Sequence, residues 1–171
     1  MRSGPGGQAA YIPADTLPAI AGWEGVRHLD PIRRFDLDWA PAAAERGAQA
    51  PVRVTARRLD LTETRRAVEV MRGTWPQAED GVLVSEVFAR MYDVAPGDTL
   101  RLPLGGTERR LRVAGVWRDY SYQWGHVLMD RGAYAELTGD SRADQLAAYL
   151  GAGADKAAVR QRRRRTFAEA P

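Results

Sequence analysis

Apolar and polar residues alternate along several stretches of the chain. From Phe35 to Trp39 every second residue is apolar, and the same period recurs from Val52 to Arg57. A period of two is typical of strands with one buried face. The residues between these runs, 41–50, contain Pro, Ala and Gly, so the two strands are predicted to form a hairpin with a long loop.

A second hairpin is predicted further along the chain. Alternate leucines from Leu100 to Leu104 share one strand face, and the returning strand repeats the alternation from Leu111 to Trp117. Between them Gly105-Gly106 supplies a tight reversal. Two alternating runs joined by a short glycine turn favour an antiparallel pair.

Strand and helix units alternate with these hairpins. The apolar run from Gly81 to Ser85 predicts a central strand, and the Ser85 hydroxyl is placed to cap the helix that follows. His126 to Met129 predict another strand, after which Asp130 caps a helix that ends near Gly139. With a last strand in QLAAYL, the order predicts an α+β fold with a mixed, mainly antiparallel sheet and short helices.

Two further helices are predicted from polar caps. Asp15 is placed to cap a helix that runs to Trp23. Thr62 is placed to cap a second helix, which runs to about Arg72. Pro96, Gly97 and Asp98 form a turn signal after the helix that Ser85 begins. Pro fixes φ at the first central position of a type II turn and Gly tolerates positive φ at the second, so Gly97 is predicted to have positive φ.

The chain divides into three predicted segments. Residues 1–10 read as a flexible lead, because they are rich in Gly and have no periodicity, and they lack the apolar core of a signal peptide. Residues 11–154 are predicted to form the core domain. Residues 155–171 contain a terminal helix that Asp155 opens and that runs to about Ala168. No run approaches the roughly 20 apolar residues of a membrane helix.

The amino-acid composition is that of a folded module and argues against several kinds of site and partner. The 171 residues include 44% apolar and 27% charged residues, which are ordinary values for a folded module, and no cysteine, which excludes disulfides and thiolate metal sites. Lys156 is the single lysine, and the bias toward Arg and Ala is typical of a GC-rich, actinobacteria-like composition. The net charge of +3 is mild and the cations are interleaved with acids, so nucleic acid is not an expected partner.

The sequence gives no support for catalysis, a metal or a cofactor. His28 and His126 are the only histidines, and a metal site would need them beside carboxylates such as Asp30 or Asp119. No nucleophile elbow, phosphate-binding loop with a lysine, or zinc-protease motif is present, and no nucleophile stands beside a base.

Two surface features remain as candidates for binding. The segment WRDYSYQWGH gathers Trp117, Tyr120, Tyr122 and Trp124, which either form a sticky surface for a partner or client or, as we favour, place Trp117 in the core while the others brace a loop. A run of four arginines in the terminal helix covers every side of its axis, so it is either a solvated helix end or a contact for lipid phosphates. The four are Arg162, Arg163, Arg164 and Arg165.

Residues 81–120, followed by GHVLMDRGAYAELTGD, resemble the extracytoplasmic core domain of FtsX-like (MacB-type) ABC transporter permeases. The resemblance rests on the strand and helix from Val82 to Ala89, the Gly97-Asp98 turn, the hairpin end at 113–116 and the unit from Val127 to Tyr134. It covers residues 81–150 and extends to the stretch that begins TLPAIAGWEGVRHLDPI. These are packing and turn residues, so they are informative about fold and silent about substrate.

The resemblance implies a non-catalytic domain between two membrane helices of a permease, on the extracytoplasmic side of the cell membrane. It implies that the domain couples movement of those helices to export or extraction of a lipoprotein, peptide or drug, or to a partner envelope protein. A cytoplasmic ATPase subunit and a second permease copy or half are the implied partners. The terminal segment 155–171 would then lead toward a membrane segment that this chain does not include.

Two alternatives start from other features. The PGDTLRLPL turn and hairpin alone would also suit a small β-rich module that binds a ligand or assists an enzyme, although such a barrel would not need the strand and helix units at 81–93 and 126–139. A nucleic-acid module would rest on the arginine run alone.

Overall fold

The computed structural model describes residues 11–39, 51–77 and 81–168. The predicted lead at 1–10 and the loop at 41–50 lie outside the described residues. The chain divides into two compact units, of which the larger is Ile32–Ser141 and the smaller combines the residues up to Pro31 with those from Arg142 onward.

Short helices and longer strands alternate along the chain. No described helix combines the length and the apolar character that crossing a membrane requires. In chain order the elements are α1 (Thr16–Ala21), β1 (Val26–Leu37), β2 (Val52–Arg57), α2 (Thr62–Ala67), β3 (Val70–Gly73), β4 (Gly81–Ser85), α3 (Glu86–Met91), β5 (Thr99–Leu104), β6 (Thr107–Trp117), β7 (His126–Asp130), α4 (Arg131–Thr138), β8 (Gln145–Leu150) and α5 (Lys156–Ala168).

The strands form a mixed sheet of eight strands. In the larger unit the order is β3-β6-β4-β7-β2-β1, and β5 also pairs with β6. The pairs β2–β7 and β4–β6 are parallel, whereas β1–β2, β3–β6, β4–β7 and β5–β6 are antiparallel. The smaller unit contains α1, β8, α5 and the first part of β1, with which β8 pairs. The predicted α+β class with a mainly antiparallel mixed sheet is confirmed.

Apolar faces of the strands and of α3 make the core of the larger unit. In β4, Val82, Leu83 and Val84 are all 0% exposed, which confirms a central strand buried on both faces. In β5 the buried and exposed positions alternate, so the leucines from Leu100 to Leu104 all face the core. Phe88 of α3 is also fully buried in this cluster.

Local signals placed most element boundaries correctly. The first predicted hairpin pairs Phe35 with Val54, and the second closes at Leu104 and Thr107. Side-chain oxygens accept backbone N–H bonds at three predicted caps, namely Ser85 from Phe88, Asp130 from Gly132 and Ala133, and Asp155 from Ala157 and Ala158.

The predicted turn at 96–98 has the expected geometry. Gly97 has φ of 102°, in the region that glycine favours, so its predicted positive φ is confirmed. The Asp98 backbone N–H donates to the Ala95 carbonyl over 3.1 Å, and the Asp98 carboxylate accepts the Ala95 N–H over 2.8 Å. The turn therefore closes through both the backbone and a side chain.

Two predicted helices were wrong in their caps and in their ends. The Asp15 side chain makes no cap hydrogen bond, because its own backbone is already helical (φ −71°, ψ −21°), and the helix ends at Ala21 rather than Trp23. Thr62 lies inside α2 rather than capping it. The predicted continuation of that helix to Arg72 is wrong as well, because Val70–Gly73 pairs with β6 as the strand β3.

Candidate functional site

The segment 118–125, here called the aromatic loop, connects β6 to β7 in the larger unit. These two strands are not neighbours, since β4 lies between them in the sheet, and the loop must therefore pass the end of β4. Ser85 ends β4, and its hydroxyl accepts two backbone N–H bonds: from Phe88 at 3.2 Å, which caps α3, and from His126 at 3.1 Å, which begins β7. One buried hydroxyl thus fixes both the helix start and the end of the aromatic loop.

A buried chain of side-chain hydrogen bonds anchors the other end of the loop. The His126 Nδ1 lies 2.6 Å from the Asp119 Oδ2, and the His126 Nε2 lies 2.9 Å from the Thr55 hydroxyl. The Asp119 carboxylate also accepts bonds from the Ser121 backbone N–H at 2.8 Å and from the Ser121 hydroxyl at 2.6 Å. Four polar groups from three parts of the larger unit therefore hold the loop in one conformation.

The Thr55 hydroxyl, the His126 imidazole and the Asp119 carboxylate lie in the order found in catalytic triads, in which a base activates a nucleophile and a third group orients the base. The expectation that no nucleophile stands beside a base was therefore wrong, because the Thr55 hydroxyl lies within hydrogen-bond distance of the His126 imidazole. However, Thr55 is only 3% exposed, and its oxygen also accepts a bond from the Arg34 Nε at 3.4 Å. A hydroxyl oxygen that lies inside the sheet beside a guanidinium is poorly placed to attack a substrate.

Hydrogen bonds keep the Asp119 carboxylate ionised. Burial alone would raise its pKa, but the bonds donated by His126 and Ser121 outweigh burial and lower the pKa from 3.8 to about 2. The ionised carboxylate is thus the form that the folded protein prefers, and it accepts the bonds that hold the loop.

Acidification is expected to weaken the fold through this group. Because the pKa of Asp119 is lower in the folded state, its contribution, about 2 kcal/mol, is present above pH 4 and is lost as the pH falls through about 2. Asp119→Asn is expected to lose this part of the pH dependence of the unfolding free energy, measured by urea unfolding between pH 5 and pH 2.

Asp93→Asn is the matched control for this titration. Asp93 is exposed and has φ of 50°, which asparagine tolerates, so its variant should fold as the original chain does and controls for the loss of one carboxylate. If Asp119→Asn and the original chain lose stability equally on acidification, Asp119 does not act as described.

The structure separates the four aromatic residues predicted as a surface. Trp117 is 9% exposed and belongs to the core, as the favoured interpretation predicted. Tyr122 braces the loop, since its hydroxyl donates to the Pro51 carbonyl over 3.1 Å and the Arg53 guanidinium lies 3.9 Å from its ring centre. Tyr120 is 85% exposed and Trp124 is 48% exposed. Only these two can present apolar area to a partner.

Cations surround the exposed part of the loop. The Arg118 guanidinium donates to the Tyr120 hydroxyl at 3.3 Å and lies 3.4 Å from the Glu69 carboxylate. A depression of about 370 Å³ beside the loop is lined by Arg34, Arg57 and Arg118 together with the polar anchor residues. Tyr120 therefore lies beside guanidinium groups, and Arg118 is also 3.6 Å from the Glu86 carboxylate.

Other predicted site residues lie elsewhere. The four arginines of the predicted run occupy α5 in the smaller unit, where Arg162 lies 5.4 Å from the centre of the Trp23 ring. His28 lies in the smaller unit, against the Tyr149 ring. Among the described residues no group of three or more possible metal ligands is found, although Asp119 and His126 do meet.

Sequence reasoning missed the anchor because its members are distant in the chain. Thr55 and His126 are 71 residues apart, and they approach each other because β2 and β7 pair in parallel. The spacing of Asp119, Ser121 and His126 was visible, but it carries no periodic signal. The signal present in the sequence was Thr55, because it places a hydroxyl inside a strand at a position where valine is more usual.

The known proteins that this chain is similar to are ABC transporter permeases and their domains. No family model matches the chain. An uncharacterized ABC transporter permease protein of Mycobacterium tuberculosis, Rv0987, is 26% identical over 170 residues, which are 95% of this chain and 19% of the relative. The chain therefore spans about a fifth of the length of that curated relative.

Two solved structures share the fold. The extracellular domain of the noncanonic ABC-type transporter YknZ from Gram-positive bacteria has a TM-score of 0.62 at 11% identity, covering 89% of this chain and 79% of that one. The periplasmic region of MacB from Actinobacillus actinomycetemcomitans has a TM-score of 0.64 at 12% identity, covering 90% of this chain and 71% of that one. The predicted resemblance to these extracytoplasmic domains is confirmed: the chain shares the fold of the YknZ and MacB domains and is similar in sequence to an ABC transporter permease protein.

Proposed function

We propose that this chain is the non-catalytic extracytoplasmic domain of an FtsX/MacB-type ABC transporter permease. In this role it couples movement of the membrane helices to export or extraction of an envelope client, such as a lipoprotein, peptide or drug, or to a partner protein. The observation that carries the proposal is the fold shared with the YknZ and MacB domains. A cytoplasmic ATPase subunit is the expected energy source, and a second permease copy or half completes the membrane part.

The smaller unit is the natural place for the coupling. It combines residues from both ends of the chain, the parts that would join flanking membrane helices. Its helix α5 has 13 residues without Gly or Pro, and so forms a rod about 20 Å long. A connection that transmits movement should be stiff, and α5 meets that requirement.

The aromatic loop is the proposed contact for the client or partner. Tyr120 and Trp124 are exposed on a loop whose ends are fixed by Ser85 and by the Asp119–His126 pair. Aromatic side chains with few rotatable bonds lose little entropy on binding. A loop that is already ordered adds to this advantage, because less conformational freedom is lost when a partner binds.

The non-catalytic part of the proposal is supported by the burial of Thr55, whose hydroxyl lies beside the His126 imidazole. Steady hydrolysis of an activated ester by the chain, abolished in Thr55→Val, would contradict it. The absence of a phosphate-binding loop in the sequence supports the expectation that ATP is hydrolysed elsewhere.

The coupling is tested by making the rod flexible. In a membrane-embedded permease that carries this domain, a Gly-Ser segment of about six residues is inserted after Ala168. Transport is expected to fall while ATP hydrolysis by the partner subunit persists, because movement would no longer pass along α5. Both rates are measured in the same proteoliposomes.

The control is an equal insertion between Gly105 and Gly106. These residues form the exposed turn between β5 and β6 in the larger unit. Transport by the permease with this control insertion should remain close to that of the original permease. Unchanged transport with the insertion after Ala168 would reduce α5 to a passive tether and contradict the coupling role.

The same proteoliposomes test the aromatic loop. Tyr120→Ala with Trp124→Ala should reduce transport, whereas Met71→Ala, which removes another exposed apolar side chain, should not. Equal effects of the double variant and of Met71→Ala would mean that the aromatic loop is not the contact.

A further inference from the structure

The smaller unit contains a groove of about 420 Å³ that the aromatic loop and the proposed coupling role leave unexplained. Its walls come from the N-terminal segment, the α1 region, β8 and α5. Small-molecule sites usually have volumes of about 300–1,000 Å³, so this groove suits one small ligand.

The floor of the groove is apolar and partly open. Leu146, Ala148 and Leu150 alternate along β8 and therefore share one face of the strand. Ala148 is exposed, and Leu146 and Leu150 are only half-buried. Ile20 and Trp23, which are 3% and 7% exposed, continue the floor from the α1 side. An apolar chain laid on this floor would be removed from water on one side along its length.

The helix wall carries charge where an apolar face would be ordinary. Lys156, Arg160 and Arg163 follow one another at spacings of four and three residues, so they share one face of α5 with Val159. A helix that packs on an apolar strand usually turns apolar residues toward it. Here three cations line the groove instead, which is the type of local conflict that functional sites tolerate.

These cations have no acidic partner in the part of the chain that the structure describes. No ion pair joins Lys156, Arg160 or Arg163 to a described carboxylate. Asp144 is the acidic residue among the lining residues. The groove therefore combines an apolar floor with a net positive wall.

We infer that this groove binds a single-chain anionic amphiphile, with its hydrocarbon chain on the β8 floor and its carboxylate or phosphate head against the cations of α5. Guanidinium groups bind such heads through paired, charge-assisted hydrogen bonds. Burial of the chain supplies the affinity, and the head fixes its direction. The volume fits one chain taken up as a monomer, not a bilayer surface. The inference goes beyond the proposed coupling and does not depend on it.

Isothermal calorimetry on the purified 171-residue chain tests the inference with dodecyl phosphate as the probe, used below its micellar concentration. Saturable binding of one molecule per chain is expected. Dodecyl maltoside has the same chain without the charge, and butyl phosphate has the same head with a short chain. Each should bind at least about tenfold more weakly, a difference of about 1.4 kcal/mol. Equal binding of dodecyl maltoside and dodecyl phosphate would overturn the inference.

The arginine run supplies a matched pair of variants. Arg160→Ala with Arg163→Ala removes two cations that line the groove, and Arg164→Ala with Arg165→Ala removes two from the same helix that do not line it. The first pair should weaken binding of dodecyl phosphate at least about tenfold, whereas the second should change it less than about twofold. Equal weakening by both pairs would indicate attraction to net charge alone and would overturn the site.

A filling variant tests the floor separately. Ala148 is exposed and lines the groove, so Ala148→Trp should occupy the space without disturbing the core and should abolish dodecyl phosphate binding. Circular dichroism melts confirm that each variant stays folded. Unimpaired binding to Ala148→Trp would overturn the proposal. Binding to phosphatidylglycerol vesicles without binding of the monomeric probe would also overturn it, since a bilayer surface would then be the ligand.

Discussion

Replacing His126 by leucine is expected to lower the free energy of unfolding by about 3 kcal/mol or more. The Asp119 side chain is 2% exposed and its carboxylate lies 2.6 Å from His126 Nδ1, so the variant leaves a buried carboxylate without its imidazole. Removing one partner of a buried polar pair is costly because the remaining charge stays out of water. Urea unfolding at pH 7 measures the loss.

The double variant His126→Leu with Asp119→Leu provides the control. Removing both polar groups avoids the stranded charge, so it should be less destabilising than the sum of the two single variants. The single His126→Leu variant should also increase amide hydrogen exchange in the aromatic loop, where the anchor is lost. A loss below about 1 kcal/mol with unchanged exchange would contradict the anchoring role.

Phe88→Ala is expected to cost about 3–5 kcal/mol. The Phe88 side chain is 0% exposed, and its ring stacks on Trp39 at 5.8 Å and lies 4.8 Å from the Tyr92 ring. Deleting it opens a cavity at the centre of the main cluster. The ring also lies against the backbone of Gly125, where an added Cβ would come within 2.8 Å of it, so the end of the aromatic loop should loosen as well.

Two variants calibrate this result. Phe88→Leu keeps most of the volume and should cost clearly less than Phe88→Ala. Met71→Ala removes an apolar side chain that is 39% exposed and should change stability by about 0.5 kcal/mol or less. A Phe88→Ala loss no larger than that of Met71→Ala would mean that α3 does not close the core.

Much of the fold could be predicted because its signals are local. The Gly105-Gly106 reversal, the Gly97 turn and the caps at Ser85, Asp130 and Asp155 each depend on residues within a few positions of one another. Alternation identified the buried leucines of β5 for the same reason, since the period of a strand is set by its own backbone. The resemblance to permease domains rests on these packing and turn residues.

The largest error among the predictions depended on distant pairing. The segment after Ala67 was predicted as helix, yet Val70–Gly73 pairs with β6, with Gly73 opposite Gly115. An added Cβ on Gly115 would lie 2.8 Å from the Thr74 carbonyl oxygen, so this close approach depends on a glycine more than 40 residues away. Pairing with another strand outweighed the weak local preference for helix.

The sequence by itself determined where most strands, turns and caps lie, because apolar periods and the hydrogen bonds of turns and caps are formed by neighbouring residues. The tertiary structure alone decided the candidate sites. It brought Thr55 and His126 together across 71 residues, buried Trp117 while exposing Tyr120, and placed the cations of α5 beside an apolar strand. Side-chain contacts of this kind follow from strand order and packing, and the sequence around each residue carries no record of a partner so far along the chain.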